Sequence, residues 1–259
     1  MPYVDTGRVS LFFEEAGSGG VPVLLLHELG GSSESWREVI PLLAPDRRVI
    51  GVDFRCAGRS EKPIGSFELA DIADDIEALL QALDITDPVD VIGAALGSLV
   101  GALLAIRYPA RLRRLIMCAV APEMAGPTRQ YVAERAEKAR VVGMRGVADA
   151  SLANSFPASH PEQRAAYCAI YLGNDPAAYA ELSLALARLE MTAADWGTIR
   201  APTLIASGAH DFLWPPEIGR QVADLIPGAK FVTMEDAGHF PHLQAPGTLI
   251  SLACGFLRD

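Results

Sequence analysis

The stretch that most constrains the fold is residues 91–98, which read VIGAALGS. An apolar run leads into a turn with a glycine on each side and then into a helical pattern, so a buried strand should turn sharply into a helix. This is the setting of the G-x-S-x-G nucleophile elbow, in which the turn exposes a serine hydroxyl above a sheet edge. Gly93 and Gly97 have the required spacing, but Ala95 occupies the nucleophile position. The sequence therefore predicts an elbow without the hydroxyl that covalent catalysis needs.

Length and composition favour one sizeable α/β domain with room for an inserted subdomain, because the chain has 259 residues and half of them are hydrophobic. The net charge is −10 and no basic cluster is present, which argues against nucleic acid and anionic membranes as partners. No apolar run approaches the ~20 residues that span a bilayer. A small-molecule substrate is the expected partner, and a homodimer is compatible with the sequence.

The cysteines and the N-terminal residues indicate the cellular compartment that we expect for this protein. Cys56, Cys118, Cys168 and Cys254 form no C-x-x-C pair, so neither a zinc site nor a disulfide framework is expected. The N-terminus has neither a basic start nor an apolar core, which is not the pattern of a signal peptide. We therefore expect a cytoplasmic protein that needs no metal and no cofactor.

Strand and helix patterns alternate along most of the chain. This alternation predicts a mostly parallel, twisted sheet with helices on both faces. Strands are predicted at residues 9–13, 21–26, 48–52, 89–92, 112–118, 203–207 and 230–233. Helices are predicted at residues 35–43, 69–83, 96–107, 217–225 and 248–257.

The alternation stops after Pro122. Residues 129–142, 161–172 and 176–189 have helical patterns, and good strand candidates return only near residue 203. We interpret residues 123–199 as a helical cap inserted between two parts of an α/β core, residues 1–122 and 200–259. Such a cap should cover the carboxyl edge of the sheet, where folds of this class bind ligands.

Two later segments carry a candidate acid and a candidate base. Asp211 follows the strand predicted at residues 203–207, and His239 follows the last predicted strand. A histidine can remove a proton near neutral pH when a carboxylate fixes its tautomer and stabilises the imidazolium. We therefore predict that Asp211 orients His239 as a general base beside Ala95.

The loop after the strand predicted at residues 21–26 reads HELGGS, residues 27–32. It is similar to the H-G-x-G-G loop that supplies one backbone amide of an oxyanion hole, the second coming from the residue after the nucleophile. This assigns the amides of Leu29 and Leu96 as oxyanion donors. His27 and Glu28 are candidate substrate contacts, although Glu28 is expected to point outward as an ordinary loop carboxylate.

A fourth motif completes the pattern: residues 53–60, DFRCAGRS, match a D-x-R-G-x-G-x-S loop. With these four motifs in order, the chain resembles the α/β-hydrolase superfamily from end to end. More narrowly, it is similar to small cytosolic enol-lactonases, meta-cleavage C–C hydrolases and the aminoacrylate hydrolase group. Three residues depart from the family pattern: Ala95, Glu28 and Cys56. The aminoacrylate hydrolase group also has alanine at the elbow, which favours a natural, serine-free member.

Taken with this resemblance, the residues favour a hydrolase or related lyase acting on a small activated metabolite, such as an enol-lactone, an enamine or a β-dicarbonyl compound. His239 and Asp211 would act on a water molecule or an acidic substrate proton, with Ala95 leaving space. Three alternatives stay open: a serine hydrolase captured as a Ser-to-Ala variant at position 95, a cofactor-free dioxygenase, and a ligand-binding protein without catalysis.

Overall fold

The computed structural model describes residues 2–124, 126–156 and 159–258. Eight strands form one sheet. They are β1 (Tyr3–Asp5), β2 (Ser10–Ala16), β3 (Val23–Leu26), β4 (Val49–Val52), β5 (Val89–Ala94), β6 (Leu112–Cys118), β7 (Thr203–Gly208) and β8 (Lys230–Met234). Their order in the sheet is β1-β2-β4-β3-β5-β6-β7-β8. Strands β3 to β8 pair in parallel, whereas β1 and β2 add antiparallel pairs at one edge. The predicted fold class is confirmed.

The helices alternate with the strands. They are α1 (Ile40–Leu43), α2 (Leu69–Ala82), α3 (Leu96–Arg107), α4 (Gly126–Val142), α5 (Arg145–Ser155), α6 (Pro161–Leu172), α7 (Pro176–Arg188), α8 (Ala193–Gly197), α9 (Pro216–Leu225), α10 (Pro241–Gln244) and α11 (Pro246–Arg258). Two 3₁₀ turns lie at Ser33–Trp36 and Pro109–Arg111. In the part of the chain that the structure describes, no helix is long and apolar enough to cross a membrane.

Strand β3 shows why the centre of the sheet reads as an unbroken apolar run. Leu24 and Leu26 face one hydrophobic cluster, whereas Val23 and Leu25 face the other, and all four side chains have no exposed surface. Helices cover both faces, so alternate side chains are equally buried. Burying each such side chain stabilises the fold by about 1.5–3 kcal/mol.

One predicted helix is wrong. Residues 35–43 do not form a single helix but a 3₁₀ turn at Ser33–Trp36 followed by the short α1. Pro41 explains the break, because a proline inside a helix removes one hydrogen bond and clashes with the carbonyl four residues earlier. The structure instead places Pro41 in the first turn of α1, where the missing N–H costs nothing. The short elements β1, α8 and α10 were not predicted, and neither was α5, which has 11 residues.

Helices α4 to α8 lie between β6 and β7, and no strand occurs among the described residues of this segment. They contact the core at the loop that follows β3. The Tyr167 hydroxyl on α6 donates to the carbonyl of Leu29 at 3.3 Å, and the Asn174 amide donates to the carbonyl of Gly30 at 2.9 Å. These contacts place helical residues directly above the carboxyl edge of the sheet. The boundaries of the cap at residues 123 and 199 stay a prediction.

Candidate active site

Ala95 lies at the turn between β5 and α3 and has a positive φ of 48°. This backbone region is unfavourable for a residue with a Cβ and costs about 1–3 kcal/mol. The Ala95 amide donates to the carbonyl of Cys118 on β6 at 2.8 Å, which holds the turn against the neighbouring strand. The sharp turn predicted from the sequence is therefore present, and its side chain is a methyl group.

The two glycines of the elbow are required by close backbone approach. A Cβ on Gly93 would collide with the carbonyl of Gly97, and a Cβ on Gly97 would collide with the carbonyl of Leu26 on β3. Only glycine lets the chain fold back this tightly. The spacing of Gly93 and Gly97 thus follows from the geometry of the turn and is independent of the nucleophile.

His239 and Asp211 form a buried pair. The histidine Nδ1 lies 2.9 Å from Asp211 Oδ2, and the other carboxylate oxygen accepts from the amides of Leu213 and Trp214 at 2.9 Å each. The carboxylate is held in place by the loop, and it accepts the Nδ1 proton of the neutral ring. The lone pair on Nε2 is then free to accept a proton, which is the arrangement a general base needs.

Two backbone amides also belong to the site. Leu29 and Leu96 line the same cavity as Ala95 and His239. Neither amide donates to an acceptor within residues 2–124, 126–156 and 159–258. Amides of this kind can stabilise negative charge on a carbonyl oxygen without any rearrangement of the protein.

The cavity has a volume of about 370 Å³ and lies between the sheet edge and helices α4 to α7. Its floor contains Ala95, Leu96 and His239. Among the aromatic and methionine residues of the predicted cap, Met124, Tyr131, Tyr167 and Tyr171 line the cavity, together with Trp214 and Phe240 from the core. Trp196, in contrast, is fully buried and donates to the carbonyl of Pro122. The cavity is mostly apolar and is large enough for a small metabolite.

The structure places His27, a candidate substrate contact, beneath the cavity and not in its lining. The ring is fully buried, its Nε2 accepts from the Phe54 amide at 3.1 Å, and its Nδ1 donates to the carbonyl of Glu28 at 2.8 Å. Burial lowers the pKa of His27, which agrees with a neutral ring that accepts at one nitrogen and donates at the other. His27 joins two loops below the cavity and does not line it.

The outward orientation expected for Glu28 is wrong. Its side chain has no exposed surface, and its carboxylate pairs with His242 Nε2 at 2.9 Å and with the Ser35 hydroxyl at 2.7 Å. Glu28 does not line the cavity either, so the candidate substrate contact is replaced by a structural one. The carboxylate joins the oxyanion loop to α10, which directly follows His239.

Other polar residues of the motifs support the loops. Asp53 accepts from the amides of Ser33 and Arg59 at 2.6 and 2.7 Å, so it braces the loop it begins. The Ser98 hydroxyl, one helical turn beyond Ala95, is buried and bonds to the carbonyls of Gly93 and Cys118, so it cannot serve as a nucleophile in place of residue 95. Burial raises the pKa of Cys56 to about 11, so this thiol is not a thiolate near neutral pH.

One residue of the cavity has no counterpart among the predicted site residues. Arg135 on α4 lines the cavity opposite the core, next to Tyr131 and Tyr171. No periodicity or motif distinguishes it from the other charged residues of α4. Among the described residues, no group of three or more histidine, cysteine or carboxylate side chains is arranged to hold a metal ion.

Comparisons with known proteins agree with this geometry. A family model described as alpha/beta hydrolase fold matches residues 21–246. RutD of Azorhizobium caulinodans, whose name assigns it provisionally as a carbamate hydrolase, is 28% identical over 264 aligned residues, covering 100% of this chain and 99% of RutD.

Two solved structures are similar over almost their whole length. The enol-lactonase from Burkholderia xenovorans LB400 superposes with a TM-score of 0.93 at 27% identity, covering 100% of both chains. A thermophilic esterase from Thermogutta terrifontis, solved with malate bound, has a TM-score of 0.92 at 28% identity and covers 96% of this chain and 93% of its own.

Proposed function

Because the chain belongs to the α/β-hydrolase fold family, we propose that it hydrolyses a small, labile carbonyl compound with a water molecule that His239 activates directly. Hydrolase activity of this kind follows from the family and from the named hydrolases among the relatives of the chain. The use of water as the nucleophile and the labile substrate are our proposal.

The observation that carries the proposal is the intact His239–Asp211 pair beside a methyl group. Asp211 accepts the Nδ1 proton at 2.9 Å, so Nε2 has a lone pair directed to the cavity side of the ring. With Ala95 at the elbow, no side-chain hydroxyl is there to receive this activation. A water molecule, or part of the substrate, takes the space that a serine hydroxyl fills in the G-x-S-x-G elbow.

In the proposed reaction, water adds to the substrate carbonyl as His239 removes its proton. The developing oxyanion accepts hydrogen bonds from the amides of Leu29 and Leu96, and the histidine then returns the proton to the leaving group. A general base supplies about 10²- to 10⁴-fold in rate. This suffices for a substrate that is already reactive, such as an enol-lactone or an activated ester, and is too little for an ordinary amide.

The names of the relatives support this class of substrate. An enol-lactonase and a protein provisionally named as a carbamate hydrolase both act, by name, on a carbonyl bonded to oxygen or nitrogen. The cavity of about 370 Å³ suits a compound of similar, small size. We therefore place the substrate among small enol esters and lactones.

A second candidate is a serine hydrolase in which Ala95 stands in place of the nucleophile. The positive φ of 48° at Ala95 favours it, because the strain of the elbow serves to expose a nucleophile and gives a methyl group no advantage. The two candidates predict different effects of replacing Ala95 with serine on the rate of ester hydrolysis.

We predict that Ala95→Ser changes kcat/KM for 4-nitrophenyl acetate by less than about tenfold, because the native site already uses water as the nucleophile. Release of 4-nitrophenolate by the native protein should be linear from the first turnover in stopped-flow absorbance. Gly101→Ala, a helical position remote from the cavity floor, controls for small packing changes. A gain of about 100-fold or more with a burst of one equivalent supports the serine hydrolase instead.

A further inference from the structure

Arg135 contributes a positive charge to the cavity and forms no ion pair with the described residues. It lies on α4 and lines the cavity together with Ala95 and His239. Its Nε atom is buried and has no hydrogen-bond partner within the described ranges. Its Nη1 donates a long hydrogen bond to the Ser151 hydroxyl at 3.5 Å, and the Tyr131 side chain also lies close to the guanidinium.

Other arginines of the same helix are paired with acids. Arg129 lies 3.5 Å from Glu190, and Arg140 lies 2.7 Å from Glu181. No carboxylate of residues 2–124, 126–156 or 159–258 lies within ion-pair distance of Arg135. The outward-facing arginines of α4 therefore have ionic partners, whereas Arg135, which faces the cavity, has none among the described residues.

Aromatic side chains lie around the Arg135 guanidinium. Its central carbon lies 5.2 Å from the ring centre of Tyr131 and 5.9 Å from that of Tyr179. Such contacts stabilise a cation through the ring quadrupole. They do not pair the Nε donor, which has no acceptor among the described residues, and the edge of a guanidinium matches the two oxygens of a carboxylate.

The guanidinium stays charged in this setting. Burial lowers the pKa of Arg135, but electrostatic interactions with Tyr179, Tyr171 and Tyr131 raise it by more, so it lies above its ordinary value. A partly buried, charged group without an anionic partner is unfavourable unless it gains one. An anionic ligand in the cavity removes that cost.

The position of Arg135 relates it to the reacting carbonyl. Tyr171 and Tyr179 share a hydrogen bond of 2.8 Å, and the rings of both lie against Gly30 in the oxyanion loop. Arg135 lies near the Tyr179 ring of this pair and lines the same cavity as Leu29 and Ala95. A ligand that contacts both Arg135 and the oxyanion amides must carry its anionic group at a different place from its reacting carbonyl.

We propose that Arg135 binds a carboxylate of the substrate and thereby selects labile esters or lactones that carry a free carboxylate group. This inference rests on the proposed function for the reaction, but the role of Arg135 can be measured separately. The carboxylate would accept two N–H bonds from the guanidinium edge, while the reacting carbonyl lies at the amides of Leu29 and Leu96.

The test compares mono-4-nitrophenyl adipate, whose carboxylate is too distant to attack its own ester readily, with its methyl ester, and the rate without protein is subtracted from each. We expect the native protein to favour the acid by about 10- to 100-fold in kcat/KM, the usual size of a hydrogen bond between charged groups. Arg135→Met should bring the ratio close to one, mainly through a loss of kcat/KM for the acid. Arg135→Lys should keep part of the preference, and Arg140→Met, on the same helix, should keep all of it.

The outcomes separate the two proposals. If the native protein hydrolyses both esters with equal kcat/KM, or Arg135→Met retains the preference, the role of Arg135 is overturned while the hydrolytic function stands. If neither ester is hydrolysed, the proposed function fails on these substrates, and calorimetric binding of monomethyl adipate decides the role of Arg135. At least tenfold weaker binding to Arg135→Met supports it, and equal or undetectable binding to both proteins overturns it.

Discussion

Replacing His239 with alanine should lower kcat/KM for 4-nitrophenyl acetate by about 10²- to 10⁴-fold, the range that general base catalysis supplies. The ring is held by Asp211 at 2.9 Å and has a free Nε2, so its removal leaves no base beside Ala95. The folded state should lose less stability than in Glu28→Ala, because Asp211 keeps its hydrogen bonds to the amides of Leu213 and Trp214 and His239 lines a cavity that water can fill. Initial rates of 4-nitrophenolate release measure the effect.

Two further variants test whether the loss of activity in His239→Ala comes from the missing base. Asp211→Asn should cost nearly as much as His239→Ala, because an amide N–H can donate to Nδ1 and leave the ring proton on Nε2, which then cannot act as a base. His210→Ala is the matched control, since His210 is an exposed histidine next to Asp211. It should retain native activity. A His239→Ala protein within twofold of the native rate would exclude His239 as the base.

Replacing Glu28 with alanine should have the largest effect on stability. The carboxylate is fully buried and pairs with His242 at 2.9 Å and with Ser35 at 2.7 Å. Removing one member of a buried pair leaves the other without compensation and costs about 3–5 kcal/mol. His242 is equally buried, against the Trp36 ring at 4.4 Å, so water cannot replace the lost carboxylate. Urea unfolding followed by circular dichroism measures the free energy of unfolding.

The same pair gives a pH dependence with a defined sign. Burial raises the pKa of Glu28, but the charge and hydrogen bond of His242 lower it by more, so it lies below the ordinary value of 4.5. A carboxyl group whose pKa is lowered in the folded state stabilises the protein above its unfolded pKa, and this stability is lost as the pH falls through the folded pKa. The native protein should therefore lose free energy of unfolding below pH 4.5 more steeply than Glu28→Gln.

Glu38→Ala serves as the control for both experiments. Glu38 is 63% exposed and pairs with Arg37 at 3.4 Å on the surface, where such pairs contribute about 0–1 kcal/mol. Its unfolding free energy and its pH dependence should follow those of the native protein. If Glu28→Ala is no less stable than Glu38→Ala, the buried pair does not hold the oxyanion loop to α10.

The fold and the positions of Ala95, Asp211 and His239 at one sheet edge could be predicted, because each depends on a local sequence pattern with a specific physical cause. A run such as residues 23–26 reads as apolar throughout because both faces of a central parallel strand are covered. Gly93 and Gly97 are fixed by backbone contacts within a few residues of the turn. The order of Ala95, Asp211 and His239 reflects the order in which strands β5, β7 and β8 end at one sheet edge.

Contacts between distant segments were not predictable in the same way. Glu28 and His242 are 214 positions apart, and only the folded chain brings a loop carboxylate onto the helix after His239. The departure of Glu28 from the family glycine was visible, but the partner that makes a buried carboxylate stable was not. Arg135 is similar, since α4 carries charges on several sides and only packing shows which of them faces the cavity.

The central claim is that His239 activates water and that no covalent intermediate forms on the protein. The most direct measurement is the intact mass of the native protein, quenched with acid at successive times during turnover of 4-nitrophenyl acetate, with His239→Ala treated in parallel. The account predicts that the native mass stays unchanged while 4-nitrophenolate accumulates. An acetylated native protein that forms and decays at the rate of turnover, and is absent from His239→Ala, would contradict it.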